Sequence, residues 1–265
     1  MKKSANLEML YTELPWQKRF EAAKKDGFDF VEFWDWNNKN LDEIVALTKE
    51  NGIPLSAMSG DKYYSMCDPA HREEYRKFIE KSIEAARKVN CPTLVVHSNE
   101  LLPGPKAYAK DSFPEYSDTV KICSMFDTLK VLAPIAEKAG ITLVLEALNT
   151  VVDHIGNFLT STQMSAEITE LVDSPNVKVL YDAYHMYLNE GKICETVTKY
   201  KSQIGYIHIA DAPGRGEPGT GVIRYRGFFE HLRKIGYNGT VGFELVPKKD
   251  TSSAVATIME CTEGL

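Results

Sequence analysis

Four residues able to bind a cation recur in the second half of the chain: Glu146 in LVLEALN, Asp182 in VLYDAYH, His208 in YIHIAD and Glu244 in VGFELVP. The intervals are 36, 26 and 36 residues, each about the length of one strand plus one helix. A charged side chain inside an apolar strand is costly unless it is paired or bound to metal. Salt bridging explains any one of the four by itself; a ligand shared by all four explains the recurrence. Three carboxylates with one imidazole suit Mn²⁺ or Mg²⁺, and also Co²⁺, better than structural zinc, which prefers thiolate and imidazole. One divalent ion is therefore the expected cofactor.

Such an ion beside two carboxylates serves one kind of reaction well. A proton on the carbon next to a carbonyl becomes removable when the developing enediolate oxygen is stabilised, as a cation does by Lewis acidity. One group takes the proton and another returns it. Return to the neighbouring carbon is isomerisation; return to the opposite face of the same carbon is epimerisation. The residues leave both open, with Glu146 and Glu244 as the expected pair. Arg215, in the loop PGRGEPGTG, offers a guanidinium to substrate oxygens, and His185, three residues after Asp182, is expected at the pocket rim. Trp34, with Trp36 beside it, offers an apolar wall to the C–H face of a sugar. His97 and Asp153 complete the candidate substrate-binding set. Each has a plainer reading: a packed or exposed histidine, a surface arginine, a tryptophan under a loop. The glycines around Arg215 could also cradle a phosphate, although Glu217 opposes an anion there.

To bring these residues together the chain needs a scaffold with regular repeats. Short β-branched and aromatic runs alternate with segments of helical period, the pattern of repeated βα units. Strands are expected near Ser4–Met9, Phe28–Trp34, Pro54–Ser59, Thr93–His97, Thr142–Leu148, Lys178–Tyr184, Ile204–Ala210 and Thr240–Val246. Helices are expected over Trp16–Lys25, Leu41–Asn51, Arg72–Val89, Asp118–Ala139, Thr162–Val172, Ile193–Tyr200 and Arg226–Ile235, several of them closed by a glycine. No GxGxxG follows the first strand and no Walker A pattern occurs, so a closed (β/α)8 TIM barrel over residues 1–265 is preferred to an open doubly wound sheet. Its active site lies at the carboxyl ends of the strands. The segment Ser98–Tyr116, with three prolines, is expected to loop over the barrel mouth.

The 265 residues, 43% hydrophobic and 26% charged, support one sizeable core. A net charge of −6 without a basic run disfavours nucleic acid as a partner and favours a small molecule. Five scattered cysteines show no zinc-finger spacing and read as reduced thiols. Glu8 and Glu13 break up any apolar signal segment, and no apolar run is long enough to cross a membrane. A cytoplasmic protein with no membrane partner is expected, with a homo-oligomer left open.

Beyond single residues, SANLEML, GFDFVEFW, LEALN, YDAYHMY and the long run HIADAPGRGEPGTGVIRYRGFFEHLRKIGYNGTVGFE carry a resemblance over nearly the whole chain. The sequence resembles the hydroxypyruvate isomerases, within the xylose-isomerase-like barrels that include ketose 3-epimerases. The resemblance implies Glu146, Asp182, His208 and Glu244 as metal ligands, Glu146 and Glu244 as the proton-transfer pair, and His185 and Arg215 as substrate contacts. Two positions depart from the pattern. His208 stands where hydroxypyruvate isomerases often have glutamine, an epimerase-like choice. The stretch TVVDHIGNF after LEALN is one residue longer than its counterpart, which leaves the role of Asp153 open.

The expected activity is thus a metal-dependent sugar isomerase or epimerase acting on a small polyhydroxy carbonyl compound, with His208 biasing it toward neutral, longer sugars. Isomerisation of hydroxypyruvate to tartronate semialdehyde and elimination from an oxidised glycoside are alternatives. A non-catalytic sugar-binding barrel would not need two carboxylates flanking one ion. An apurinic-site endonuclease could use His97, Asp182 and His185 for part of a zinc cluster, but no Asp-x-His pair follows His208 and the acidic charge opposes a phosphate backbone.

Overall fold

A computed structural model describes residues 1–103 and 107–264. Eight parallel strands close into a barrel: β1 (Lys2–Asn6), β2 (Phe30–Phe33), β3 (Leu55–Ser59), β4 (Thr93–Val96), β7 (Thr142–Glu146), β8 (Val177–Asp182), β9 (Ile204–Ile209) and β10 (Thr240–Phe243). β1 seals the barrel by pairing with both β2 and β10. The expected closed barrel is the observed one. The short strands β5 (Leu101–Leu102) and β6 (Tyr108–Ala109) form a hairpin within the Ser98–Tyr116 segment, where only a loop was expected; residues 104–106 of that segment lie outside the described residues.

The outer ring is built from α1 (Trp16–Lys25), α2 (Leu41–Asn51), α3 (Arg72–Lys88), α4 (Asp118–Ala139), α5 (Thr162–Val172), α6 (Ala183–Glu190), α7 (Ile193–Lys199), α8 (Tyr225–Lys234) and α9 (Thr251–Cys261). Local chemistry sets their ends. Asn40 and Ser117 cap the first turns of α2 and α4 by accepting from backbone amides. Gly52 and Gly140 close the same two helices at φ +59° and +68°, where a side chain would be strained. The sequence reading missed α6 and α9. It ran the sixth expected strand, β8, on to Tyr184, but Asp182 caps α6 and turns the chain into a helix at once.

Alternation along the strands divides the molecule into two cores. Outward residues such as Ile207, Ile209 and Phe243 pack against the helices. Inward residues Ala57, Val95, Val144, Leu180 and Tyr206 form a separate apolar plug inside the barrel. One step nearer the carboxyl ends, the inward positions turn polar: Glu32, Glu146, Asp182 and His208 are all buried. The plug is the floor of the site, and two-residue periodicity delivers each functional side chain above it.

Phe243 shows how outer packing supports that delivery, since it lies one residue before Glu244 and points the other way. It is fully buried, with its ring 6.1 Å from that of Phe28 and 6.3 Å from that of Phe229 on α8. Phe243→Ala should lower the unfolding free energy by about 3–5 kcal/mol in urea titrations, the usual cost of a large core cavity. A loss under about 1 kcal/mol would contradict this packing role.

Candidate active site

Glu146 ends β7, Asp182 ends β8, His208 lies in β9 and Glu244 follows β10, so four adjacent strands supply the four predicted ligands. All four are buried. Each is fixed by protein contacts. Asp182 Oδ1 accepts from the backbone amides of Tyr184 and His185 at 2.7 and 3.0 Å as the cap of α6. Glu146 Oε2 lies 3.1 Å from His97 Nε2, and His97 Nδ1 lies 2.9 Å from Asp61. Glu244 Oε1 accepts from the Trp34 indole at 2.6 Å, and its Oε2 accepts from Arg215.

The opposite atoms of these groups converge. Glu146 Oε1, Asp182 Oδ2 and His208 Nδ1 are buried and have no hydrogen-bond partner among the described residues. His208 Nδ1 is 3.8 Å from Glu146 Oε1 and 3.9 Å from Glu244 Oε2. Candidate ligand atoms of Asp182, His208 and Glu244 all lie within 4.8 Å of one another. Buried carboxylate oxygens facing each other without a donor are unfavourable unless a cation joins them. A hard divalent ion fits this oxygen-rich donor set.

Electrostatics point the same way. Burial, then the neighbouring Glu146 carboxylate, push Asp182 up to about 7. Burial disfavours a charged His208, but Glu32, Glu244 and Glu146 outweigh it and hold the ring well above the ordinary histidine range. His97 is likewise raised to about 10, with Asp61 and Glu146 overcoming burial. In the cation-free protein, protons partly neutralise the cluster.

His185 departs from expectation. Instead of standing at the rim it is fully buried in the first turn of α6. The Asn149 amide donates to its Nδ1 at 2.7 Å, while Asn149 Oδ1 accepts from the amides of Val152 and Asp153. That network assigns the ring proton to Nε2, which lies 3.8 Å from Asp182 and has no hydrogen-bond partner among the described residues. Burial and then Arg215 hold the ring well below its ordinary pKa, so it is neutral. Asp153 lines the same cavity and accepts from Tyr184 at 2.6 Å.

Arg215 sits over the Tyr184 ring at 5.5 Å, and its Nε has no partner among the described residues. The glycines around it do not form a phosphate cradle. Asp211, buried just upstream, accepts from the amides of Ala212, Gly219, Gly221 and Ile223 at 2.8–3.0 Å, so this carboxylate occupies the donors an anion would need. The two tryptophans also separate. Trp34 lines the cavity, whereas Trp36 packs on Phe78 and donates to Ser82.

Trp34, His97, Glu146, His185, His208, Arg215 and Glu244 line a cavity of about 680 Å³ at the carboxyl ends of the strands. Sequence reasoning missed Glu32, Asp61, Asn149 and Asp211. Glu32 alone had a visible signal, a charge inside the apolar run FVEF.

The sequence profile of the family described as "Xylose isomerase-like TIM barrel" matches residues 20–261. The chain belongs to that family. A curated relative, hydroxypyruvate isomerase of Escherichia coli (strain K12), is 31% identical over 264 residues, covering 95% of this chain and 96% of its own. The enzyme class is accordingly isomerase. Two solved structures share the barrel at 24% identity, which speaks for the fold alone. AP endonuclease, family 2 from Brucella melitensis superposes with a TM-score of 0.85 over 96% of both chains. The 3-keto-D-glucoside 4-epimerase of E. coli superposes at 0.81 over 98% of both. Among the described residues, no helix of this family member is long and apolar enough to cross a membrane.

One divalent ion per chain is the expected result of elemental analysis after loading; two or more tightly held zinc ions would contradict the four-residue site. Binding should strengthen as pH rises. A cation needs Asp182 and His208 deprotonated, and both hold protons above their ordinary pKa values, Asp182 up to about 7. Mn²⁺ affinity followed by calorimetry should therefore climb from pH 5.5 through 7 and keep climbing beyond it. A flat profile would contradict the assignment.

Proposed function

We propose that the protein is a divalent-metal-dependent sugar isomerase or epimerase, acting on a neutral polyhydroxy carbonyl compound by proton transfer through an enediolate. The convergence of Glu146 and Glu244 on His208 Nδ1 from either side of Asp182 and His208 in the strand order carries this reading. A divalent ion held by Glu146, Asp182, His208 and Glu244 would supply Lewis-acid stabilisation of the negative charge that develops on the substrate oxygen.

The protein's own groups account for the other steps. One of Glu146 and Glu244 removes the proton beside the carbonyl, and the other delivers a proton on the far side of the planar intermediate. His97 keeps Glu146 oriented through its outer oxygen, and Arg215 holds Glu244 by the oxygen that faces His208. The neutral His185 ring presents its Nε2–H as a donor to a substrate oxygen, and the Arg215 Nε offers a second. Trp34 supplies the apolar surface for the carbon skeleton.

Charge around the cavity favours a neutral substrate. Among the described lining residues, Arg215 is paired with Glu244, His97 with Asp61 and Glu146, and Lys62 with Asp35 at 2.5 Å. A substrate carboxylate would have to compete for cations that already have partners, in a cavity rich in negative charge. A second reading, isomerisation of hydroxypyruvate, is favoured by the 31% identical relative that bears that name.

Glu146→Gln and Glu244→Gln should each lower kcat by about 10²–10⁴-fold, the range of a lost general acid or base, with the fold retained by circular dichroism. Near-wild-type turnover in either would remove that residue from proton transfer. Across a panel of hydroxypyruvate, tetroses, pentuloses and hexuloses with Mn²⁺, the highest kcat/KM should belong to a neutral sugar. A hydroxypyruvate value about tenfold above every sugar, roughly 1.4 kcal/mol, would decide for the second reading.

A further inference from the structure

The side of the His208 ring that faces away from the carboxylates has a partner of its own. His208 Nε2 lies 3.0 Å from Glu32 Oε1 of β2, off the line of a well-formed hydrogen bond. Glu32 is itself 1% exposed, and none of the proton-transfer steps above uses it.

Its other oxygen ends a chain of hydroxyls through the barrel interior. Tyr206 donates to Glu32 Oε2, Ser56 stands 2.8 Å from the Tyr206 hydroxyl, and Ser4 stands 2.6 Å from Ser56. Since the Tyr206 proton goes to the carboxylate, the chain runs Ser4 to Ser56 to Tyr206 to Glu32, each hydroxyl donating to the next. Gly242 makes room for it. A Cβ there would lie 2.6 Å from Glu32 Oε2, 2.8 Å from Oε1 and 2.7 Å from His208 Cδ2, closer than real contacts allow. Three strands, β1, β3 and β9, thus hold one carboxylate against the back of one imidazole, and a fourth strand leaves out a side chain to admit it.

We propose that Glu32 is a positioning residue for the cation site: it takes the Nε2 proton of His208 in a hydrogen bond, fixing the ring with Nδ1 turned toward Glu146, Asp182 and Glu244. A carboxylate behind a ligating histidine sets its tautomer and orientation and raises its basicity, and losing such a partner typically costs 10–100-fold in metal affinity. The inference rests on His208 being a ligand, as the proposed function holds.

The probe is Mn²⁺ alone, titrated into cation-free wild type, Glu32→Met, Glu32→Gln and His208→Ala, with free Mn²⁺ read by electron paramagnetic resonance. Glu32→Met, which keeps the volume and removes the acceptor, should weaken Mn²⁺ binding by about 10–100-fold. Glu32→Gln, which retains a carbonyl acceptor, should recover most of that loss. Wild-type affinity in Glu32→Met together with weakened binding in His208→Ala would overturn the positioning role while leaving the ligand set intact. Wild-type affinity in both would overturn the ligand role of His208, and the inference with it. A measurement on the unmutated protein does not depend on any variant folding. In Zn²⁺-loaded protein labelled with ¹⁵N-histidine, His208 should show Nδ1 on the metal and a protonated, hydrogen-bonded Nε2. Coordination through Nε2 would overturn the proposal.

Discussion

Three carboxylates and an imidazole are buried around one point in the barrel mouth, and most of the site's construction answers to the repulsion among the carboxylates. Two like charges 4 Å apart repel by about 4 kcal/mol at an effective dielectric of 20. Several such pairs would consume much of the 5–15 kcal/mol by which a typical domain is stable. Two devices offset this. Protein donors hold one oxygen of Asp182 at the start of α6, one of Glu146 at His97, and both of Glu244 at Arg215 and Trp34. Inner atoms are left facing a common point, where protons or a cation supply the missing positive charge.

This arrangement depends on the closed barrel. Strand periodicity places Val144 and Leu180 in the apolar plug, and the next inward positions are Glu146 and Asp182. Residues far apart in sequence therefore meet at one height above a sealed floor. The loop carrying Arg215 is fixed in turn by the buried Asp211, which gathers four of its backbone amides. A guanidinium on an otherwise glycine-rich loop is thereby set beside Glu244.

Much of this was legible in the sequence because strand periodicity and the spacing of charged residues are local signals. The eight strands, most helices and the meeting of Glu146, Asp182, His208 and Glu244 follow from them. What the sequence hid was set by tertiary context. His185 reads as the end of a strand until Asp182 is seen to cap a helix. The glycines near Arg215 suit an anion until a distant-facing carboxylate, Asp211, is seen to take their amides. Asp61 and Asn149 act only through His97 and His185, and no spacing in the sequence links those pairs. Glu32 shows in the sequence only as a charge within FVEF, because its role lies in the space left by Gly242 on another strand.

The central claim is that this buried pair of glutamates moves a proton of the substrate in exchange with solvent. Its most direct measurement is proton NMR of the sugar turned over, in D2O with Mg²⁺ and the wild-type enzyme. The account predicts deuterium at the carbon where the proton is returned, appearing only with both enzyme and ion present. Product formed with its original hydrogen fully retained would contradict it, because a proton removed by one glutamate and replaced from the other cannot be the one returned.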